Sequence, residues 1–517
     1  MENISVGKTL TVLMAGAFVA ILNQTLINVA IPHMMNDFNV SATTIQWLST
    51  AYMLVNGVLI PITAYLIESY GTRSLFLFAM LSFTVGALIC GIAPNFSIML
   101  LGRIIQAIGA GVLMPMITNV FLAVFPPEKR GAAMGTMGIV MIFAPAIGPT
   151  VAGWVVQNYT WRILFYAMIP LGVIDILLAI KWLRNVTKLT YPSLDTSGAI
   201  FSTIGFGALL FGFSEAGSRG WSDLLVVCSF IIGVLFLLLF IWRELTAKQP
   251  LLNLSVFKYD VFTMSTIIGA AVNMAMLGAM ILLPIYLQNI RGFTPLQSGL
   301  LLLPGALVMG VMSPISGALF DRIGARPLAI AGLIITAITT LEFSKLTSDS
   351  TYNHIMLLYT VRMFGMSLLM MTVQTAGLNQ LPRTLGSHGT AMSNTTRQVA
   401  GSIGTALLVT VMSSRTTIHM ADYSNQLTAA NTLVADNINQ FGLQLAEASG
   451  QAAQAGGTLA IQTLFSLATV QSTINGINDS FLVATLITLI GLFFAFFLRR
   501  AKPAESPQEK PVEILQE

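Results

Sequence analysis

Apolar residues run along this chain in blocks of helix length, separated by short polar connections that hold most of its charge. Crossing a hydrocarbon layer about 30 Å thick takes about 20 mostly apolar residues in a helix, because only helices or closed barrels satisfy every backbone polar group in lipid. Barrel strands of about ten alternating residues do not fit runs of this length. The pattern predicts fourteen spans, at 10–32, 45–67, 74–93, 98–125, 132–157, 163–183, 197–214, 222–242, 262–287, 296–320, 327–346, 353–380, 389–412 and 481–498. The first is too long for a signal-peptide core and reaches Pro32 without a cleavage-type sequence, so it is expected to stay as a helix. Composition changes the picture only by confirming it: 55% of residues are hydrophobic and 9% charged, against roughly 25% charged in a typical soluble domain. The expected fold class is an all-α membrane protein.

Charge then orients the spans, since Lys and Arg favour the cytoplasmic side. With the N-terminus inside, eighteen of the 25 Lys and Arg fall on cytoplasmic segments, Lys8, Arg73, Arg130, Arg322, Arg326 and Arg397 among them. Five fall outside, and Arg103 and Arg362 lie within spans. Both termini are therefore expected to be cytoplasmic, and the net charge of +4 reflects this bias rather than nucleic-acid binding. Cys90 and Cys228 fall inside spans, without metal-ligand company and too far apart in sequence to argue for a disulfide. No GxxxxGK phosphate loop is present, which argues against an ATP-driven pump and for an ion gradient as the energy source. Nor does the chain show a nucleophile–base pair, a metal cluster or a cofactor fingerprint, so it is not read as an enzyme.

Two decapeptides, AYLIESYGTR at Ala64–Arg73 and GALFDRIGAR at Gly317–Arg326, start 253 residues apart. Arg103 in LLGRIIQAIGAG is matched 259 residues later by Arg362 in YTVRMFGMS. The simplest parse is a six-helix bundle (1–190), a two-helix insert (191–250) and five helices of a second bundle (251–412). There follow a long extracellular loop (413–480), the last helix (481–500) and a disordered cytoplasmic tail (501–517). In the loop, Leu427, Ala430, Val434, Ile438, Phe441 and Leu445 recur at helical spacing and predict an amphipathic helix. A parallel duplication of six-helix halves is the footprint of alternating-access transport, with cargo bound between the halves near mid-membrane.

The decapeptides read as hinges. An acid between arginines, Asp321 with Arg322 and Arg326, can clamp neighbouring helix ends through charge-assisted hydrogen bonds. Gly317 permits close helix approach and Gly324 a tight turn. The first copy keeps Glu68, Gly71 and Arg73 but has Ala64 and Ser69 where the second has Gly317 and Arg322, so its clamp is expected to be weaker. With these motifs the chain resembles the major facilitator superfamily, and within it the fourteen-helix drug:proton antiporters. Arg103 with Gln106, Gly109 and Gly111 is similar to that family's span-4 motif, and APAIGPTVAGW (Ala144–Trp154) to its antiporter motif. Further similarity lies in IQWLSTAYML, WRILFYAMIPLG, LLPIYLQNIRGFTPLQSGLLLLPGAL and NTTRQVAGSIGTAL, and ILNQTLINVAIP looks most like the lincomycin-resistance efflux branch.

The resemblance implies that the bent fifth span, with Gly138, Pro145, Gly148, Pro149 and Gly153, helps seal the interface between the halves and supports exchange. Close packing by small residues is the alternative. It also implies that Arg103 influences a nearby protonatable acid, yet where the family often places Asp this chain has Asn23, which carries no proton. The candidates left for proton coupling are Asp175, mid-span, and Glu215, at the outer end of span 7; an acid in a low-dielectric cavity can load and unload protons near neutral pH. Asn23, Gln46, Trp47, Asn56, Asn119, Asn273, Gln374, Asn394 and Gln398 are candidates to line the cavity, with some of the 27 methionines as adaptable apolar surface. The expected function is proton-coupled efflux of amphiphilic, lincosamide-like antibiotics by a monomer in the bacterial cytoplasmic membrane, with no cofactor beyond the proton gradient. Two alternatives stand beside it: export of a lipid or lipid-linked precursor, and a non-transporting membrane sensor.

Overall fold

The computed structural model describes residues 6–40, 42–126, 129–186, 195–247, 250–426, 432–449 and 456–499. Leu427, Ala430 and the tail from 501 lie outside them. No strand occurs among the described residues. The helices are α1 (Val6–Phe38), α2 (Ala42–Leu59), α3 (Thr63–Ile92), α4 (Phe96–Val124), α5 (Arg130–Asn158), α6 (Arg162–Trp182), α7 (Thr196–Arg219), α8 (Leu224–Thr246) and α9 (Asp260–Ile285). They continue with α10 (Pro295–Ile323), α11 (Ala325–Phe343), α12 (Tyr352–Gln380), α13 (Gly386–Gln426), α14 (Thr432–Ser449) and α15 (Gly456–Phe496). Where helices begin at a polar connection, a side chain satisfies a free amide of the first turn. Asn95, Asp195, Asp223, Thr294 and Thr351 do this for α4, α7, α8, α10 and α12.

Twelve stretches of the described residues are long and apolar enough to cross a membrane. One of them, Trp47–Ile92, covers two predicted spans; the 3-10 turn Ile60–Ile62 and the non-helical Gly71 interrupt it. α13, which carries the thirteenth predicted span, is too polar to be counted among the twelve.

Helices α1–α6 close around one apolar core that includes Leu13, Phe76, Phe83 and Phe165. Helices α9–α13 and α15 share two others, one around Phe343 and Phe481 and one around Leu333 and Leu369. A fourth cluster joins Leu122 of α4, Phe240 of α8, Leu251 and Leu252 of the following linker, and Leu378 and Met392 of α12 and α13. It therefore plugs one end of the molecule across all three groups of helices.

The insert packs on both groups. Leu210 of α7 lies over Gly57 of α2, Ser214 is within 3.3 Å of Thr50, and the Trp221 indole donates to Thr410 of α13 at 2.8 Å. α8 covers α7, with Phe213 and Phe230 rings 4.8 Å apart, and turns Ile231, Leu235, Leu238 and Trp242 outward, as a lipid-facing helix should. At the other end of the pair Asp195 accepts from Arg243 at 2.9 Å, Ser197 at 2.7 Å and the Gly198 amide at 3.2 Å. Burial raises the Asp195 pKa, but the Arg243 bond and these further donors prevail and hold it below the usual carboxylate range.

Two expectations need correction. The 413–480 stretch is largely helical: α13 and α15 are 41 residues each, roughly 60 Å at 1.5 Å per residue and about twice a hydrocarbon layer. The last helix therefore begins at Gly456 rather than 481, and its turns just before 481 pair with the extension of α13. Arg415 and His419 both bond Asp479, and Asn475 donates to Tyr423 at 3.2 Å. The short polar side chains that hide this stretch from a hydropathy pattern do not prevent a helix; they only remove its membrane signature. α14 falls on the later part of the stretch expected to form an amphipathic helix, with Ile438 and Phe441 partly buried, and it meets α15 where Gly442 touches Gly456. The second correction concerns Arg397, counted above with the loop charges: it lies eleven residues into α13 and lines a cleft.

Candidate functional site

The two decapeptides lie at the plugged end. Gly71 and Gly324 hold equivalent positions in them and have φ of 72° and 85°, in the left-handed region that favours glycine. In the second copy the Asp321 carboxylate accepts from the amides of Gly131 and Ala132, each at 3.0 Å. These amides open α5, where free N–H groups and the helix dipole favour an anion. The clamp is thus an acid of one half seated on a helix start of the other. Arg322 and Arg326, expected to flank that acid as clamp partners, are exposed.

In the first copy Glu68 bonds the Ser387 hydroxyl at the start of α13 and lies 3.7 Å from His388 Nε2. Arg73 donates to the Ile180 carbonyl at the end of α6, at 2.8 Å. Arg130 completes the latch, donating to Asn379 of α12 at 3.0 Å and to the Leu122 carbonyl at 2.7 Å. Glycine brings the backbones together behind these bonds. A Cβ on Gly317 would overlap the Gly131 carbonyl, one on Gly135 would lie 2.5 Å from the Ser313 carbonyl, and one on Gly138 would overlap the Ser313 hydroxyl. α5 and α10 are therefore in backbone contact from the plugged end to about mid-helix, where Phe143 meets Gly310.

Deeper in the first bundle Arg103 is fully buried. It donates to Asn23 at 2.7 Å, Gln106 at 3.0 Å and the Leu48 carbonyl at 3.3 Å, and its guanidinium lies 4.2 Å from the Tyr52 ring centre. In the second bundle α9, α12 and α13 enclose a cleft. Arg397 projects into it and donates to Gln374 at 2.9 Å and to Asn394, while its carbonyl accepts from Asn273 at 2.6 Å. Three predicted cavity residues thus converge on an arginine that the charge pattern had assigned elsewhere. The one clue to Arg397 was its position inside the predicted span 389–412. Ser387, His388 and Asn379 carried no signal at all, because ordinary polar residues acquire their role only when the halves meet.

The other predicted residues separate. Asp175 on α6 is 2% exposed, and neither of its carboxylate oxygens has a hydrogen-bond partner among the described residues. It sits against Gly16 of α1, with Phe76 and Met80 beside it, inside the first bundle rather than between the bundles. Glu215 is paired with Arg219 at 2.6 Å, one turn along α7. Trp47 faces Phe211 of α7 at 5.6 Å, and Gln398 and Asn56 lie beside Gly57 and Gly111 respectively. Asn119 is buried 3.9 Å from a Cβ built on Gly386, at the plugged end. Gly148 packs on Thr25 of α1, Pro145 is half-buried, and Gly153 faces open space. The side chains of Gln46 and Pro149 lie outside the described residues.

Two helical bundles latched to each other at one end, with a cleft in the second, make an arrangement that suits a secondary transporter. The sequence matches the family described as Major Facilitator Superfamily over residues 13–405, and the chain belongs to it. It is 51% identical over 505 residues to an uncharacterized MFS-type transporter, YhcA, of Bacillus subtilis, covering 98% of this chain and 95% of that one. With the lincomycin resistance protein LmrB of the same organism it shares 39% identity, covering 95% of each chain. Among solved structures, the proton:xylose symporter XylE bound to 6-bromo-6-deoxy-D-glucose superposes with a TM-score of 0.61 at 12% identity over 96% of each chain. The protein is a multi-span membrane transporter and not an enzyme.

Proposed function

We propose that the protein exports amphiphilic antibiotics, lincosamide-like molecules among them, in exchange for protons, by rocking its two six-helix bundles against each other. The observation that carries this reading is the Asp321 seat on the start of α5, backed by glycine-to-glycine contact: a junction made of hydrogen bonds and backbone packing can release and re-form. Similarity to a lincomycin resistance protein along 95% of both chains supports the cargo class. In the cytoplasmic membrane the plugged end faces inward, both termini lie inside, and the protein works as a monomer without a cofactor.

Asp175 is the residue to carry the proton. Leaving a carboxylate charged without a partner in an apolar setting costs several kcal/mol, so its ionisation is tied to any movement that lets water reach α6. Glu215, already paired with Arg219, is a poorer carrier. In proteoliposomes with an imposed pH gradient, Asp175→Asn is expected to reduce gradient-driven export of lincomycin at least tenfold while gradient-independent exchange persists; Glu215→Gln should have little effect. If Asp175→Asn, Glu215→Gln and the double variant all export as the parent does, neither acid couples to protons.

A further inference from the structure

The cleft of the second bundle has one charged wall in an otherwise apolar and weakly polar lining. Phe262, Ile268 and Val272 of α9 and Leu369 and Val373 of α12 make its apolar surface, and Arg397 of α13 supplies the charge. The side chain of Arg397 runs over Gly269, where a built Cβ would be 3.7 Å from its Cδ, an ordinary contact that leaves the glycine side of the cleft open. Its acceptors are the side-chain carbonyls of Gln374 and Asn394, so dipoles and not a carboxylate offset its charge.

The first bundle repeats the pattern. Arg103 is offset by Asn23, Gln106, a carbonyl and a tyrosine face. Arg362 of α12 is another buried cation, 3% exposed, and its Nε has no hydrogen-bond partner among the described residues. Asp175, the buried acid of α6, is against Gly16 within the first bundle and not at the cleft. Charges in a low-dielectric interior act over longer distances than in water, and a lone cation in the membrane interior is costly. With Arg397 and no carboxylate among its lining residues, the cleft is electropositive, and a ligand bringing a negative group there relieves a cost the empty protein bears.

We propose that Arg397 is a specificity-determining residue that makes the cleft prefer an amphiphilic organic anion, an apolar body with one carboxylate-type group, over its neutral or cationic counterpart. This rests on the reading of the protein as an exporter and adds organic anions to its cargo; lincosamides, which are bases, are not the ligands this cleft selects. The anion's oxygens take the guanidinium in the fork-to-fork geometry that arginine offers, with Gln374 and Asn394 steering the fork. The cavity itself is about 20 Å³, so the apolar body is admitted along α9 and α12 only as the flexible Met276 and Met370 turn aside.

The test uses three matched probes, 1-naphthaleneacetate, its neutral amide and 1-naphthylmethylammonium, in equilibrium dialysis against the purified full-length protein. The parent is expected to bind the acid about tenfold more tightly than the amide, a difference one charge-assisted bond provides, and to bind the cation most weakly. Arg397→Gln should erase the preference for the acid, and Arg397→Lys should keep part of it. Gln374→Glu, which sets a carboxylate against an intact Arg397, should erase it too, so the result does not depend on one variant's folding. Equal affinity of the parent for all three probes, or an undiminished preference for the acid in both Arg397→Gln and Gln374→Glu, overturns the proposal. Lincomycin export by a protein that binds the probes equally leaves the exporter reading standing and removes this one. Preference for the acid without any export sustains this one and removes the exporter reading.

Discussion

Replacing Asp321 by alanine is expected to lower transport at least tenfold in protein that still folds. The carboxylate spans the junction between the halves and accepts two amides at the start of α5. Hydrogen bonds to charged groups contribute about 1.5–3 kcal/mol each, and the helix dipole adds to them at this position. Part of this is lost to solvent at the rim, but about 2 kcal/mol remaining would shift the balance between the two conformers about thirtyfold. The bonds lie between bundles rather than within one, so each bundle's own apolar core is untouched and folding should survive. Asp321→Asn keeps one acceptor and should fall between alanine and the parent. Flux in proteoliposomes, with thermal unfolding to verify the fold, reads both; full transport by Asp321→Ala would mean that the seat is incidental.

A larger effect is expected from Gly317→Val. A Cβ at Gly317 meets the carbonyl of Gly131 and lies 3.0 Å from the Ala132 Cα, all backbone atoms that no rotamer change can move aside. Close-packed elements respond to such overlap by shifting as bodies, so α5 and α10 must separate where the latch bonds form. Transport should be nearly abolished, and Gly317→Ala should already be impaired. Gly153→Ala on α5 supplies the contrast: nothing lies within 4 Å of a Cβ there, and its transport should match the parent's. If Gly317→Val and Gly153→Ala behave alike, backbone contact between α5 and α10 is not what closes this end.

The contrast between these glycines marks what the sequence could and could not tell. The helices were legible because a run of apolar residues in lipid has one way to satisfy its backbone. The repeated decapeptides were legible because each needs a glycine in the left-handed region, at Gly71 and Gly324. Partners across the junction were not. Asp321 was expected to work with the arginines beside it in sequence, whereas it reaches 190 residues back to Gly131. Local spacing carries no record of which helix start will stand opposite an acid. Arg397 shows the same limit: its charge read as topology until Gln374, Asn394 and Asn273 closed around it. Likewise the extension of α15 was invisible to hydropathy, because its early turns are helical without being membrane-like.

Rocking of the two bundles is the claim on which the account rests, and distances between spin labels at the two ends test it most directly. With the exposed Cys228 replaced by serine, labels at Tyr70 and Ile323, both exposed, report on the plugged end. Labels at Tyr159 and Lys345, exposed at the opposite ends of the helices, report on the other. Imposing a pH gradient with lincomycin present should lengthen the first distance as it shortens the second. Distances at both ends that stay fixed while the protein transports would contradict the account.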